Sequence, residues 1–357
     1  MFLTQGSETK RMNVDPIRGL RETRDIEYVA DGHPLHRLDV LAPQAHASAE
    51  TQWQTKTQLK SQSKSQSKSR IQIQTELPTP HSPTQAAESA GDTAGLPVYV
   101  YFHGGGWTSG DKSTVTKYCA HQAATGMVVV NVNYRTAGRF QMNHMVEDAE
   151  AAVNWVHEHI REFGGDPARV VLGGDSAGGH IAALFTATSS NPELREHFGM
   201  TAAPRFGSIQ GLVLHCSAVD LSMLFDPAPI LSKNFIRLLH PKGRGVPAAS
   251  RSLRASAKYL SPIEWVKSDH PEVFVSTSER DYFYDSNLQF INRLRAALVP
   301  VETLIYGHEN RNTRHTWQQN YRFAESQTVY ERLTAFIQRV TAPISAPLMA
   351  PGVAVGS

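Results

Sequence analysis

Gly174-Asp175-Ser176-Ala177-Gly178 is the segment that most restricts how this chain can fold. It follows directly on an apolar run, Val170–Gly173 (VVLG), and leads directly into a helical stretch, Ala177–Thr188. In a G-x-S-x-G pattern the glycines on either side of the serine permit a sharp, strained strand-to-helix turn. Such a turn lifts the serine hydroxyl above a sheet, with a helix N-terminus beneath it. A Gly-rich turn without chemistry is the plain alternative. The strand–turn–helix context favours Ser176 as a nucleophile.

A turn of this kind needs a sheet around it, and the sequence supplies one. Val98–Phe102, Met127–Val132, Leu212–Leu214, Val273–Val275 and Val301–Ile305 are short and rich in β-branched residues. Each is bounded by Gly, Pro or polar residues, as suits strands buried on both faces of a parallel sheet. Helical stretches lie between them. Glu147–Phe163 gathers Ala151, Val153, Trp155, Val156 and Ile160 on roughly one side and ends at Gly164-Gly165. Asp285–Leu298 and Trp317–Val340 also read as helices. This alternation predicts an α/β domain with a mostly parallel central sheet flanked by helices. Asp25–Val29 and His36–Leu41, around Asp31-Gly32, predict a β-hairpin. Residues 217–262 break the rhythm and read as a small helical cap over the carboxyl ends of the strands.

At about 150 residues per domain, 357 residues would suggest two domains. Residues 47–95 change that. They are rich in Gln, Ser, Thr, Lys and Pro, with SQSK repeated in tandem at Ser61–Lys64 and Ser65–Lys68. Side chains of this kind cannot offset chain entropy by burial, so the stretch reads as a disordered loop insertion. A basic docking segment is the alternative, since Lys56, Lys60, Lys64, Lys68 and Arg70 have no acidic residues between them. The expected organisation is an N-terminal arm (1–20), one α/β domain built from 21–46 and 96–342 with the cap inside it, and a flexible tail (343–357).

Charge and cysteine use exclude several classes. The 35 basic and 33 acidic side chains leave a net charge of +2, which gives no electrostatic case for nucleic acid. Two cysteines, Cys119 and Cys216, cannot build a disulfide framework and fit a reducing compartment. No signal-peptide pattern is visible, and no apolar run approaches the ~18–20 residues of a membrane span. A cytoplasmic protein is expected. His144, His157, His159 and His180 do not form an H-E-x-x-H pair, so no metal site is expected from them.

A second motif, His103-Gly104-Gly105-Gly106-Trp107, ends the Val98–Phe102 strand. Consecutive glycines let backbone N–H groups turn towards a ligand, as an oxyanion in acyl transfer requires. A structural or phosphate-holding loop is the alternative. However, no Gly-Lys-Ser/Thr follows, and the segment is not G-x-G-x-x-G.

Together with NYR (Asn133–Arg135), FGGDPARVVLGGDSAGGH (Phe163–His180) and YLSPIEW (Tyr259–Trp265), HGGGW resembles the α/β-hydrolase superfamily. The resemblance covers about 97–340 and is to the hormone-sensitive-lipase-like carboxylesterases and the related feruloyl/acetyl esterase and kynurenine formamidase branch. It implies an α/β-hydrolase fold with Ser176 as nucleophile. It further implies an oxyanion hole from Gly104, Gly105 and the N–H of Ala177, with His103 bracing the loop. The other members of a triad should follow in the order acid, then base. Asp281 is the preferred acid, with Glu279 and Asp285 as runners-up; a helix N-cap is the alternative role for Asp281. His315 is the preferred base and His308 the runner-up. Tyr282, Phe283 and Tyr284 read as packing near the acid, with Tyr282 able to line a pocket. The resemblance calls for no cofactor or metal. It implies a serine hydrolase acting on a small-molecule ester or amide, foremost short or medium acyl or aryl esters. An arylformamidase acting on N-formylkynurenine is the nearest alternative. A non-catalytic small-ligand receptor on the same scaffold is the alternative from another class.

Overall fold

A computed structural model describes residues 17–44, 95–200, 209–225, 234–240 and 253–342. The expected disorder at 47–94, the arm up to residue 16 and the tail from residue 343 lie outside these residues. The described residues up to Pro43 and from Gly95 onward belong to one compact unit.

The short apolar runs do become strands. They are β1 (Leu20–Glu27), β2 (Arg37–Pro43), β3 (Leu96–Phe102), β4 (Val128–Val132), β5 (Gly165–Asp175), β6 (Ile209–His215), β7 (Glu272–Ser278) and β8 (Val301–Tyr306). They form one sheet in the order β1-β2-β4-β3-β5-β6-β7-β8. β1 and β2 pair antiparallel, as do β2 and β4, and all other neighbours are parallel. The expected hairpin is therefore present. Its register shifts between Thr23 and Ile26, where Asp25 takes a left-handed φ of 58°.

Strand periodicity divides the core into two layers. On β3, Val98, Val100 and Phe102 face one layer, packed with Met145, Val146, Ala149 and Ile181. Tyr99 and Tyr101 face the other, with Tyr118, Leu333 and Phe336. The helices that cover these faces are α1 (Thr116–Ala123), α2 (Met142–His159), α3 (Ser176–Thr188), α4 (Pro192–Phe198), α7 (Tyr284–Ala296) and α8 (Ala324–Val340). Within 217–262, the described parts are a short 3₁₀ turn at Ser222–Phe225, α5 (Asn234–Leu239) and α6 (Leu253–Tyr259). Phe235 of α5 packs on Trp107, 5.6 Å between ring centroids. Among the described residues, no helix is long and apolar enough to cross a membrane.

Two helices differ from expectation at their N-termini. α2 begins at Met142, not Glu147, because His144 Nδ1 accepts the N–H of Gln141 and closes the first turn. The stretch expected to be helical from Trp317 is a 3₁₀ turn at Trp317–Gln319, and α8 starts only at Ala324. Extended backbone at Asn320 and Phe323 separates the two. α1 and α4 had no sequence expectation.

The order of the strands sets where a site can form. Chain progression reverses between β3 and β5: β3 leads outwards to β4, and β5 leads the other way to β6. In open parallel sheets the crevice at such a reversal, beyond the carboxyl ends of the strands, is where ligands bind. Phe102 and Gly174 are register partners there, so the HGGGW loop and the Ser176 turn emerge side by side.

Candidate active site

The Ser176 turn is held by close packing of backbone. Ser176 has a left-handed φ of 52°, a strained value for a residue with a Cβ. A Cβ on Gly178 would lie 2.0 Å from the Phe102 carbonyl oxygen, and one on Gly174 would lie 2.5 Å from that same oxygen. The two flanking glycines are thus a steric requirement of bringing helix α3 against β3. Ser176 is 7% exposed at this position, almost enclosed.

Two loops at the far side of the sheet bring polar groups to the hydroxyl. Past β7, Asp281 N–H donates to the Ser278 carbonyl (2.9 Å). Asp281 Oδ1 accepts the N–H of Phe283 (2.7 Å) in the turn before α7, whose N-cap is Phe283 and not Asp281. Its Oδ2 lies 2.5 Å from His315 Nδ1. His315 Nε2 lies 2.9 Å from Ser176 Oγ. Ser176, His315 and Asp281 are therefore joined in one hydrogen-bonded chain. The Asp281 side chain is fully buried and that of His315 is 12% exposed.

The runners-up lie elsewhere. Glu279 and His308 are exposed and meet each other, the His308 N–H donating to Glu279 Oε2 at 2.8 Å. Asp285 is exposed in the first turn of α7. The Arg280 guanidinium donates to the His308 carbonyl (2.8 Å), and the Ser278 and Thr313 hydroxyls are 2.8 Å apart. These bonds tie the loop after β8 to the end of β7. Thr316, directly after His315, takes a left-handed φ of 59°.

Of the three expected oxyanion donors, Gly104 is a correction. Its N–H donates to Asp175 Oδ1 (3.1 Å). A Cβ there would lie 2.4 Å from Asp175 Oδ2, so this glycine admits the carboxylate to the loop. Asp175 also accepts from Tyr101 Oη–H (2.7 Å) and from Gln319 Nε2 (2.9 Å). Burial raises its pKa above the usual carboxylate range, while the bonds from Tyr101 and Gly104 pull the other way. Gly105 and Gly106 have positive φ, 137° and 60°. Among the described residues, no acceptor engages the N–H groups of Gly105, Gly106 or Ala177. Gly106 was not singled out from sequence.

Two further histidines near the site, His103 and His180, have structural partners. His103 Nδ1 bonds the Gly104 carbonyl (2.7 Å), and its ring stacks on Tyr134. His180 Nδ1 accepts from Trp107 Nε1 (2.9 Å), and its Nε2 donates to the Leu260 carbonyl (2.6 Å). Burial lowers the pKa of His180 to about 4, which keeps it neutral as these bonds require.

Two more residues neighbour the site: Tyr282, expected to pack near the acid and able to line a pocket, and Cys216, which sequence reasoning did not place there. The ring of Tyr282 lies 4.0 Å from that of His315. Cys216, just past β6 with a left-handed φ of 49°, sets its thiol against Asp281 and the Thr316 N–H. Burial raises the pKa of that thiol. The ligating atoms of Cys216, Asp281 and His315 lie within 4.8 Å of one another, a group able in composition to bind a metal. A metal at that point would have to break the bond between Asp281 and His315. Only the apolar run around Cys216 and the position of Tyr282 beside Asp281 hinted at either contact.

Known proteins carry the same fold. The profile of a family described as alpha/beta hydrolase fold matches residues 99–315. The carboxylesterase NlhH of Mycobacterium tuberculosis is 32% identical over 226 residues, which are 60% of this chain and 67% of NlhH. The esterase LipI of the same organism is 30% identical over 234 residues, 61% of this chain and 67% of LipI. Among solved structures, esterase B from Lactobacillus rhamnosis is similar with a TM-score of 0.72 at 19% identity, covering 95% of this chain and 92% of that one. That last likeness concerns the fold alone. With the profile spanning more than half of its length, the chain belongs to the α/β-hydrolase-fold family.

Proposed function

We propose that the chain is a serine hydrolase that cleaves carboxylic esters of short or medium acyl groups, or aryl esters, through an acyl-enzyme intermediate. The observation that supports this most is the hydrogen-bonded chain from Ser176 through His315 to Asp281 at the carboxyl ends of the strands. The carboxylesterase name of NlhH and the esterase name of LipI support the substrate class.

In this reading His315 Nε2 takes the Ser176 proton as Oγ attacks the ester carbonyl. Asp281 holds the ring in the tautomer with its proton on Nδ1 and stabilises the imidazolium that forms. The carbonyl oxygen becomes an oxyanion, held by N–H groups of Gly105, Gly106 and Ala177. Each such donor is worth roughly 3 kcal/mol in the transition state. Collapse expels the alcohol, which takes the proton from His315. Water then repeats the sequence on the acyl-enzyme and releases the acid. Asp175 anchors the donor loop from behind through Gly104. We read residues 217–262 as a cap on one domain, with Phe235 against Trp107 restricting the acyl side.

The names of these relatives give no support to the arylformamidase alternative. A non-catalytic receptor has no use for a serine bonded to a histidine at 2.9 Å. The test is hydrolysis of p-nitrophenyl acetate and butyrate beside N-formylkynurenine. Wild type should turn over the esters, and Ser176→Ala should lose that turnover. A wild type inert towards the esters, or preferring N-formylkynurenine, overturns the proposal.

A further inference from the structure

We propose that Gln319 is a positioning residue: through the buried Asp175 carboxylate it ties the loop that carries His315 to the loop that carries the oxyanion donors, so that base and donors are set on Ser176 together. The inference rests on the serine-hydrolase reading above and goes beyond it by assigning what keeps the two halves of the site in step.

Asp175 occupies the N-cap of α3, directly before Ser176, yet its side chain makes no capping bond to that helix. An aspartate at such a position normally accepts from the N–H groups of the first turn. Here its oxygens serve neighbouring segments instead. Oδ1 accepts the Tyr101 Oη–H of β3 (2.7 Å) and the Gly104 N–H at the head of the glycine run (3.1 Å). Oδ2 accepts from Gln319 Nε2 (2.9 Å). A carboxylate only accepts, so the amide must face it with its nitrogen. Among the described residues Gln319 is the only hydrogen-bond donor to Oδ2.

The backbone between His315 and Gln319 is fixed, so a pull on one is felt by the other. Thr316 takes a left-handed φ of 59°, Trp317–Gln319 form a 3₁₀ turn, and Gln319 N–H returns to the Thr316 carbonyl (3.2 Å). Ser326 Oγ and Tyr330 Oη of α8 donate to the Trp317 and Gln318 carbonyls at 2.9 and 2.6 Å. The same segment is thus bonded to α8, and Gln319 bonds it to the Ser176 turn. Asp175 is 1% exposed, so solvent is not at hand to replace a lost donor. Without the amide, the bare oxygen can recover only by turning or by taking up a proton. Either change loosens the hold on Gly104 N–H. Acylation needs His315 Nε2 at Oγ and the N–H donors at the oxyanion in the same instant, whereas ester binding does not. The loss should therefore fall on kcat.

Gln319→Leu removes the amide at similar size. At pH 8 it should lower kcat on p-nitrophenyl butyrate by about tenfold to a hundredfold, with KM within about threefold of wild type. Gln319→Glu keeps the shape and sets a second carboxyl against Asp175, so the pair retains one proton to higher pH than a lone carboxyl would. While that proton is present, the introduced carboxyl donates its O–H to Asp175 in place of the amide. The ratio of its kcat to that of wild type should therefore rise about threefold or more from pH 9 to pH 6, and the ratio for Gln319→Leu should not rise. Taking the ratio cancels the titration of His315. Burial keeps the other titratable groups near Asp175 uncharged over this range: Tyr101, Tyr134, Tyr282, Cys119 and Cys216 are raised, and His103 is lowered. A Gln319→Leu kcat within about twofold of wild type, or a flat Gln319→Glu ratio, overturns the proposal. So does a loss of kcat matched by an equal loss of sites titrated with a fluorophosphonate, which marks unfolding and not misplacement. Wild type inert towards the ester defeats the serine-hydrolase reading itself, an outcome distinct from an active wild type that neither variant alters.

Discussion

The Ser176 turn and the His315 loop bring their side chains within 2.9 Å of each other, yet they are built in opposite ways. The turn is fixed by backbone against backbone. Gly174 and Gly178 let α3 press on the end of β3, and no side chain can be added at either position without collision. The loop is fixed by side chains. Ser278 with Thr313, Arg280 with the His308 carbonyl and Glu279 with the His308 N–H hold it to the β7 end. The turn should therefore fail sterically at any added atom, whereas the loop should fail chemically and only where a bonded group is lost.

The sharpest contrast lies inside the loop. His315→Ala should lower kcat on p-nitrophenyl butyrate on the order of 10⁴-fold or more. His308→Ala, at an exposed position whose contacts are through backbone, should stay within about twofold. Steady-state kinetics on the two variants decide it, and the reverse ranking breaks the assignment. Next comes the turn. Gly178→Ala adds one methyl 2.0 Å from the Phe102 oxygen, which cannot yield without moving β3. A loss of about 3 kcal/mol in chemical denaturation, with activity falling alongside, is expected. Wild-type stability in that variant contradicts the steric account.

The fold as a whole should lose stability in acid. His180 of α3 is held neutral with its pKa lowered to about 4, and His215 of β6 has its pKa lowered to about 3, both by burial from an ordinary 6.5. Below pH 6.5 the unfolded chain takes up protons that the folded chain refuses, so stability falls as pH falls. The loss runs to about pH 4 for His180 and about pH 3 for His215. Each contributes at most about 1.4 kcal/mol per pH unit. A denaturation midpoint that stays level from pH 6.5 to 4 would count against buried neutral histidines. The smallest effect belongs to the loop's side-chain ties. Thr313→Val removes the partner of the Ser278 hydroxyl at constant volume and should cost about 1–2 kcal/mol. A thermal melt checks it, and an unchanged midpoint means that this tie does not hold the loop.

The same contrast explains what could be read from the sequence. Gly174–Gly178 was legible because its requirement is local: two glycines, a strand before and a helix after. The parallel strands were legible because burial on both faces leaves continuous apolar runs. The engagement of Gly104 was not, since the carboxylate that takes its N–H lies on Asp175, across a register between two strands. Nothing in the composition of Trp317–Phe323 marks the break before α8, for no glycine or proline stands there. The early start of α2 was hidden because glutamine is not a usual N-cap. Asp281 and His315 came from the resemblance, and their meeting depends on the left-handed Thr316 and the ties at Ser278 and Arg280. Tyr282 was legible as a neighbour because it directly follows Asp281; Cys216 approaches the site only where separate strand ends converge, so no short pattern announces it.

The central claim is that Ser176 is the atom that becomes acylated. Treating the protein with a fluorophosphonate and mapping the adduct by peptide mass spectrometry tests it most directly. The account predicts one adduct, on the peptide carrying Ser176, with loss of ester hydrolysis in step with labelling and no adduct in Ser176→Ala. An adduct on another residue that tracks the loss of activity, or hydrolysis undiminished in Ser176→Ala, would contradict it.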